Sequence, residues 1–238
     1  MTNDDAGDLL RQFYQVYGRP EEGPPQSINV GQLFQNLSMD QSEMNILREA
    51  LKDRNLQRQF STCQIILDDL ATRLTSDELL RDLSPTNLSA RDFEELYSRT
   101  LWFSLAATLD KRDGILPLTP FDDQVELPLP VKIQMTIHGS LVIRLYIALV
   151  CMREGILSRL IDQNARGGSR CCQQIRSLLN SDYIRRIRNA LSHGTFSSCI
   201  AGLVFRDDNG IVVATPGFLN WMSTWIMLIN LQVISASI

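Results

Sequence analysis

Three side chains near the end of one predicted helix carry groups that could do chemistry together. Arg188, Asn189 and His193 fall within six residues, inside the run Ile187 to Phe196, and His193 is one of only two histidines in the chain. An imidazole titrates near neutrality and can pass a proton to or from a hydroxyl. A guanidinium grips a phosphate through a planar fork and stabilises charge developing on it. An amide can orient either partner. With RNA, the hydroxyl would be the 2′-OH and the electrophile the neighbouring phosphate, with no metal required.

The element that must position them is a helix with readable ends. Ser181 is a predicted N-cap, and Asp182 puts a carboxylate in the first turn, where it suits the helix dipole. Ile184, Ile187 and Leu191 stand at i, i+3 and i+7 and make an apolar stripe that faces a core. Gly194 is a natural stop, because glycine takes the left-handed conformation past a helix end. Asn189 and His193 are four apart and share a face away from the stripe, with Arg186 close to it. Arg188 is five residues before His193, roughly 140° around the helix at about 100° per residue. Its long side chain could still swing toward the imidazole. Spacing alone also fits a bland reading, since Arg and His near a helix C-terminus complement the dipole on many solvated faces.

Arg188-Asn189-x-x-x-His193 resembles the R-polar-x-x-x-H signature of the HEPN superfamily, a group of small all-helical domains. The longer run Ile187 to Phe196 is similar to one branch, in which R-N-x-x-x-H-G-T-F is followed by a short hairpin and a last helix. The resemblance covers roughly residues 130–238 and is specific across the ten-residue core. It implies a metal-independent endoribonuclease, acting as a homodimer with two motifs lining one cleft. It also implies a toxin of a toxin–antitoxin pair, with an antitoxin or regulatory protein as partner, or an effector of anti-phage defence. Carried over, Arg188 would bind the phosphate, His193 would be general base or acid, and Asn189 would orient them. Toxins of this group silenced by a nucleotidyltransferase often carry Tyr two places after the His. Thr195 stands there, so regulation by tyrosine modification is not expected.

Composition sets bounds on these readings. The 238 residues are 44% apolar and 21% charged, an ordinary globular balance. The formal net charge of −4 counts against a broad RNA-coating role but allows a local basic cleft. Arg166, Arg170, Arg176, Arg185, Arg186 and Arg188 concentrate positive charge around the motif. Of these, Arg170, Arg176, Arg185 and Arg186 are the candidate RNA-binding residues beside the motif itself. The alternative is that they pair with the carboxylates of the N-terminal half. Five cysteines, odd in number and without metal-ligand spacing, read as reduced thiols of a cytoplasmic protein. No metal site and no cofactor is expected, and no phosphate-binding glycine loop or nucleophile elbow is present. The uncharged stretch Phe218 to Ile238 is long enough to span a membrane. Asn220, Ser223, Thr224, Asn230 and Gln232 interrupt it, so a buried helix is expected instead.

The fold class expected is all-α: a HEPN-like helical bundle with a small β-hairpin near the C-terminus and an N-terminal helical extension. Residues 1–110 form the N-terminal helical region. Helices are predicted over 4–18, from the capping box Asp40-x-x-Glu43 to about Leu74, over Asp77 to Leu83, and from Ser89-x-x-Asp92 to about Leu109. The polar middle of the second, Lys52 to Gln59, can hide a break. Residues 111–130, with Gly114, Pro117, Pro120, Pro128 and Pro130, form a Pro-rich linker. Residues 131–238 form the HEPN-like domain. It opens with one long helix, Val131 to about Asn164, in which His138 reads as a hydrogen-bonded structural residue. A turn at Ala165 to Ser169 leads to an antiparallel helix, Arg170 to Leu179, and then the motif helix. Two β-branched and aromatic runs around Asp208-Asn209-Gly210 read as a hairpin. Pro216 opens the last helix, where Trp221 and Trp225 read as core or dimer contacts. A HEPN-like module that holds RNA, a nucleotide or a protein without cleaving anything is the alternative function, and a purely structural partner subunit is a third.

Overall fold

The structure, a computed structural model, describes residues 3–18, 41–73, 88–109, 141–151, 153, 155–199 and 201–235. The expected linker at 111–130, the short helix at Asp77 to Leu83, Asp40 and His138 lie outside the described residues.

The described chain is mostly helical, with a small antiparallel sheet near its C-terminal end. Helix α1 is Asn3–Tyr17. A break at Asp53 divides the next helical stretch into α2, Gln41–Lys52, and α3, Arg54–Arg73. The break falls in the polar middle noted above. Asp53 makes it by taking the backbone N–H groups of Asn55 and Leu56, both at 3.0 Å, as an N-cap does. Helix α4 is Ala90–Leu109, and Ser89 caps it by accepting from the Asp92 N–H at 3.2 Å.

Of the long helix expected over 131–164, the part described, from residue 141 on, is not one continuous α-helix. Residues 141–145 are α-helical and pass into a π-helical segment, Tyr146–Cys151. The chain then restarts as α5, Ile156–Arg166, with Gly155 as N-cap. Gly155 is wedged against α4: a Cβ there would lie 2.0 Å from Arg99 Nη1 and 2.2 Å from Glu95 Oε1. A side chain there would have to displace the ends of these two side chains, and Glu95 holds the start of α5 by accepting from the Ile156 N–H at 3.1 Å. A turn leads to α6, Arg170–Asn180, capped by Ser169, and Ser181 joins it to α7, Asp182–His193.

The hairpin is a three-stranded meander. Strand β1, Phe196–Cys199, pairs antiparallel with β2, Gly202–Asp207, from Phe196↔Phe205 to Cys199↔Gly202. Strand β3, Gly210–Ala214, completes the sheet across the Asp208-Asn209 turn. The first strand was not expected, because Phe-Ser-Ser-Cys lacks a strand's pattern and is held by its pairing with β2. Helix α8, Pro216–Ser235, closes the fold. Phe218, Leu219, Met222, Ile226, Ile229 and Val233 are buried along it. Its interior Asn230 is buried too and donates to Leu96 O at 3.1 Å and Thr100 Oγ1 at 2.6 Å, fixing α8 on α4. Among the described residues, no helix is long and apolar enough to cross a membrane.

One hydrophobic core runs from the N-terminal helices into the C-terminal ones. At its centre Phe60 of α3 lies 5.1 Å from the ring of Tyr17, 5.4 Å from Tyr183 and 4.8 Å from Phe218. Rings from α1, α3, α7 and α8 therefore meet at one point. The two tyrosines keep their hydroxyls satisfied, Tyr17 donating to Ala50 O at 2.9 Å and Tyr183 to Val213 O at 3.2 Å. This cluster sets where α7 sits, and α7 carries the motif.

Candidate functional site

Helix α7 has the ends its sequence announces. The Ser181 hydroxyl accepts from the Ile184 N–H at 3.3 Å, and Gly194 takes the left-handed conformation at φ 69°. Ile184, Ile187 and Leu191 are buried. Beyond Gly194, Thr195 ties the helix end to β2: Arg206 donates its N–H to Thr195 O at 2.9 Å, and the Thr195 hydroxyl donates to Arg206 O. The end that bears His193 is thus held from both sides.

Arg188 is on the core side of this helix. It is i+4 from Ile184 and i−3 from Leu191, and it is only 6% exposed. Its Nη1 donates to Leu179 O at 3.2 Å, while Nε is buried with no hydrogen-bond partner. Burial pushes its pKa down, and the neighbouring charges of Arg153 and Arg185 push the same way. No carboxylate pairs with it among the described ion pairs. A guanidinium in this state remains a cation, and no ion pair among the described residues compensates it.

That guanidinium borders a cavity of about 270 Å³ between the π-helical segment, α5, α6, α7 and α8. Polar groups around it come from Arg153, Ser158, Asp162, Arg176, Asn180 and Arg188. Leu149, Leu157 and Ile226 contribute to an apolar wall. The space is close to the lower end of ordinary ligand pockets. Sequence reading finds Arg176 and Arg188 here and misses Arg153, Ser158, Asp162 and Asn180. Arg153 follows the π-helical segment directly, and no motif marks it. The signal for Arg188 was present: it continues the stripe of Ile184 and Leu191.

His193 is not among the residues that line the cavity. It is exposed at the last position of α7, and Asn189 is half-buried between the two. Neither side chain has a hydrogen-bond partner among the described residues. The expected swing of Arg188 toward His193 is not what the chain adopts, because the Arg188 fork is engaged with α6 on the opposite side.

The remaining arginines divide into local pairs. Arg185 and Arg186 both hold Asp182, Arg186 through Nε at 3.1 Å. The Arg185 hydrogen bond, with Arg186 beside it, keeps the Asp182 carboxyl below the usual carboxylate range. Arg186 also donates to Asn209 O at 3.0 Å, joining α7 to the β2–β3 turn. Arg176 pairs with Asp162 at 3.0 Å. Arg170 is exposed at the start of α6, where its charge acts on Asp69 of α3. Of the four candidate RNA-binding arginines, only Arg176 shares the Arg188 cavity.

Cys63, Cys171, Cys172 and Cys199 are buried and form no disulfide among the described residues, and burial pushes the Cys199 thiol up to about 11, far from a reactive thiolate. No group of three or more His, Cys, Asp or Glu side chains capable of holding a metal occurs among the described residues.

No family model matches the chain, and no curated protein or solved structure matches it either. The reading of the site therefore stands on its residues and their geometry.

Proposed function

We propose that the protein is a metal-independent endoribonuclease of HEPN type, in which Arg188 holds the scissile phosphate and His193 moves the proton. The observation that carries this is Arg188: a buried guanidinium, without a carboxylate, on a cavity that also holds two further arginines. Such a group is compensated by a bound anion. An exposed imidazole with no internal partner, five residues along the same helix, is available to a substrate.

The step is a transesterification. His193 takes the proton of the 2′-OH, and the freed oxygen attacks the adjacent phosphorus. The bond from phosphorus to the 5′-oxygen breaks, and a protonated imidazole gives that oxygen its proton. The products are a 2′,3′-cyclic phosphate and a 5′-hydroxyl. Arg188 stabilises the charge that builds on the phosphate in between, and Asn189 orients the strand or the imidazole.

One chain holds Arg188 inward and His193 outward, so a homodimer that brings His193 of one copy to the Arg188 cavity of another completes the site. The HEPN resemblance of the motif supports the same arrangement, and with it a cellular role as toxin or anti-phage effector, a toxin being restrained by an antitoxin protein. Growth arrest on expression of wild type but not His193→Ala would support that role.

The test is cleavage of several RNAs in EDTA with product ends mapped. Wild type is expected to leave cyclic phosphates, and His193→Ala to lose about 10²- to 10⁴-fold in rate. Absence of cleavage by the folded protein would reject the enzyme. The placement of His193 outside the cavity favours one other reading, a binding module that takes an anion at Arg188 and does no chemistry. It would show phosphate-dependent stability with no cleavage to lose.

A further inference from the structure

The Arg188 cavity carries more positive charge than the internal phosphate of a strand requires. Arg153, Arg176 and Arg188 face one carboxylate among the lining residues, Asp162, a formal excess of two positive charges. A phosphodiester within a strand brings a single negative charge. A phosphate monoester brings about −1.5 to −2 near neutrality.

Two separate features of the cavity point to the dianion. Arg188 lines the cavity, is 6% exposed, and makes one hydrogen bond, from Nη1 to Leu179 O, so a largely desolvated cation without a carboxylate partner stands at the inner wall. Leu157 and Ser158 of α5 line the same space, while the helix start itself is engaged by α4, Glu95 Oε1 accepting from the Ile156 N–H at 3.1 Å. The Arg176–Asp162 pair at the rim is open to water, its side chains 45% and 42% exposed. A pair so exposed holds weakly, so a stronger anion can draw Arg176 away from Asp162.

We propose that this cavity binds a phosphate monoester, with Arg188 as inner anchor, Arg153 as a further donor, and Arg176 exchanged from Asp162 to the ligand. The shared chemistry is a terminal phosphate, whether of a free nucleotide or of an RNA end. Binding requires no cleavage. A consequence that rests on the ribonuclease reading is that a monoester competes with the strand for Arg188 and inhibits it.

Calorimetric titration of the full chain in chloride buffer tests the proposal. The probes are inorganic phosphate, adenosine monophosphate, a 5′-phosphorylated 2′-deoxydinucleotide that cannot be cleaved, and dimethyl phosphate as the monoanionic control. Saturable binding of the monoesters is expected, with dimethyl phosphate about tenfold weaker or more, as for loss of a charge-assisted hydrogen bond. Arg153→Ala should weaken binding by a similar factor, and Asp162→Asn should tighten it by freeing Arg176. Both side chains are at the surface or rim, so folding is not at stake. Tighter binding of the dinucleotide assigns the cavity to strand ends, and equal or tighter binding of the mononucleotide assigns it to free nucleotides. No saturable monoester binding, equal affinity for dimethyl phosphate, or indifference to Arg153→Ala would each overturn the proposal. Indifference to Asp162→Asn would overturn the exchange of Arg176. Cleavage without monoester binding sinks the pocket alone, and binding without cleavage sinks the ribonuclease reading alone.

Discussion

Arg188→Met distinguishes a phosphate anchor from a structural arginine. The guanidinium is 6% exposed, makes one hydrogen bond, to Leu179 O at 3.2 Å, and leaves Nε unpaired. Losing a hydrogen bond from a charged donor costs about 1.5–3 kcal/mol. Removing a buried and uncompensated charge relieves a desolvation penalty of several kcal/mol. Methionine is unbranched, adaptable and apolar, so it fills the same channel without a large cavity. The net effect is about 0 to 3 kcal/mol in favour of the variant in buffer without phosphate or sulfate. At about 2–4 °C per kcal/mol for a chain of this size, Tm stays level or rises by up to about 10 °C. Adding phosphate should then stabilise the wild type, by about 2.7 kcal/mol at a hundredfold excess over Kd, and leave the variant unmoved. Differential scanning calorimetry with and without phosphate reads both effects. A fall of more than about 3 kcal/mol in the phosphate-free arm would refute the reasoning, since that is what breaking a compensated buried pair costs.

Other expectations follow from the same geometry. Phe60→Ala removes the ring that Tyr17, Tyr183 and Phe218 share, and should cost about 3–5 kcal/mol in urea unfolding. A loss under about 1 kcal/mol would mean that α1 and α3 are not part of the cooperative core. Asp182→Asn concerns a carboxyl whose folded pKa is depressed by Arg185 first and Arg186 second. A depressed pKa contributes stability above the unfolded value of about 3.9 and loses it as pH falls through the lower folded value. The variant should therefore be less stable than wild type at neutral pH, with the gap closing in acid. A gap that is constant down to pH 2 would contradict this. His193→Ala should leave the unfolding midpoint within about 0.5 kcal/mol of wild type, because the side chain is exposed.

The parts of the fold legible in the sequence are those with local causes. Ser181 and Gly194 mark α7 because caps act within one turn. The Asn209-Gly210 pair marks the β2–β3 turn for the same reason. Strand β1 was illegible, since Phe196–Cys199 becomes a strand only by pairing with β2. The restart at Gly155 was missed because what holds it is distant in sequence: Glu95 of α4 accepts from the Ile156 N–H. Arg153, and Leu157 and Ser158 of α5, line the cavity beside Arg188. No spacing rule joins residues 153, 176 and 188. The motif itself was legible as a pattern of residue types, but the pattern suggested one cluster. Burial separates it, because Arg188 lies on the stripe and His193 off it.

The central claim is that Arg188 and His193 act on one phosphate although a single chain holds them apart. Mixing His193→Ala chains with Arg188→Met chains, each inactive alone, tests it most directly in an RNA cleavage assay. With random pairing, a site built across two copies restores about a quarter of wild-type activity, because half the pairs are mixed and each mixed pair has one intact site. Activity no greater than either variant alone, in a mixture shown to exchange subunits, would contradict a site shared between copies.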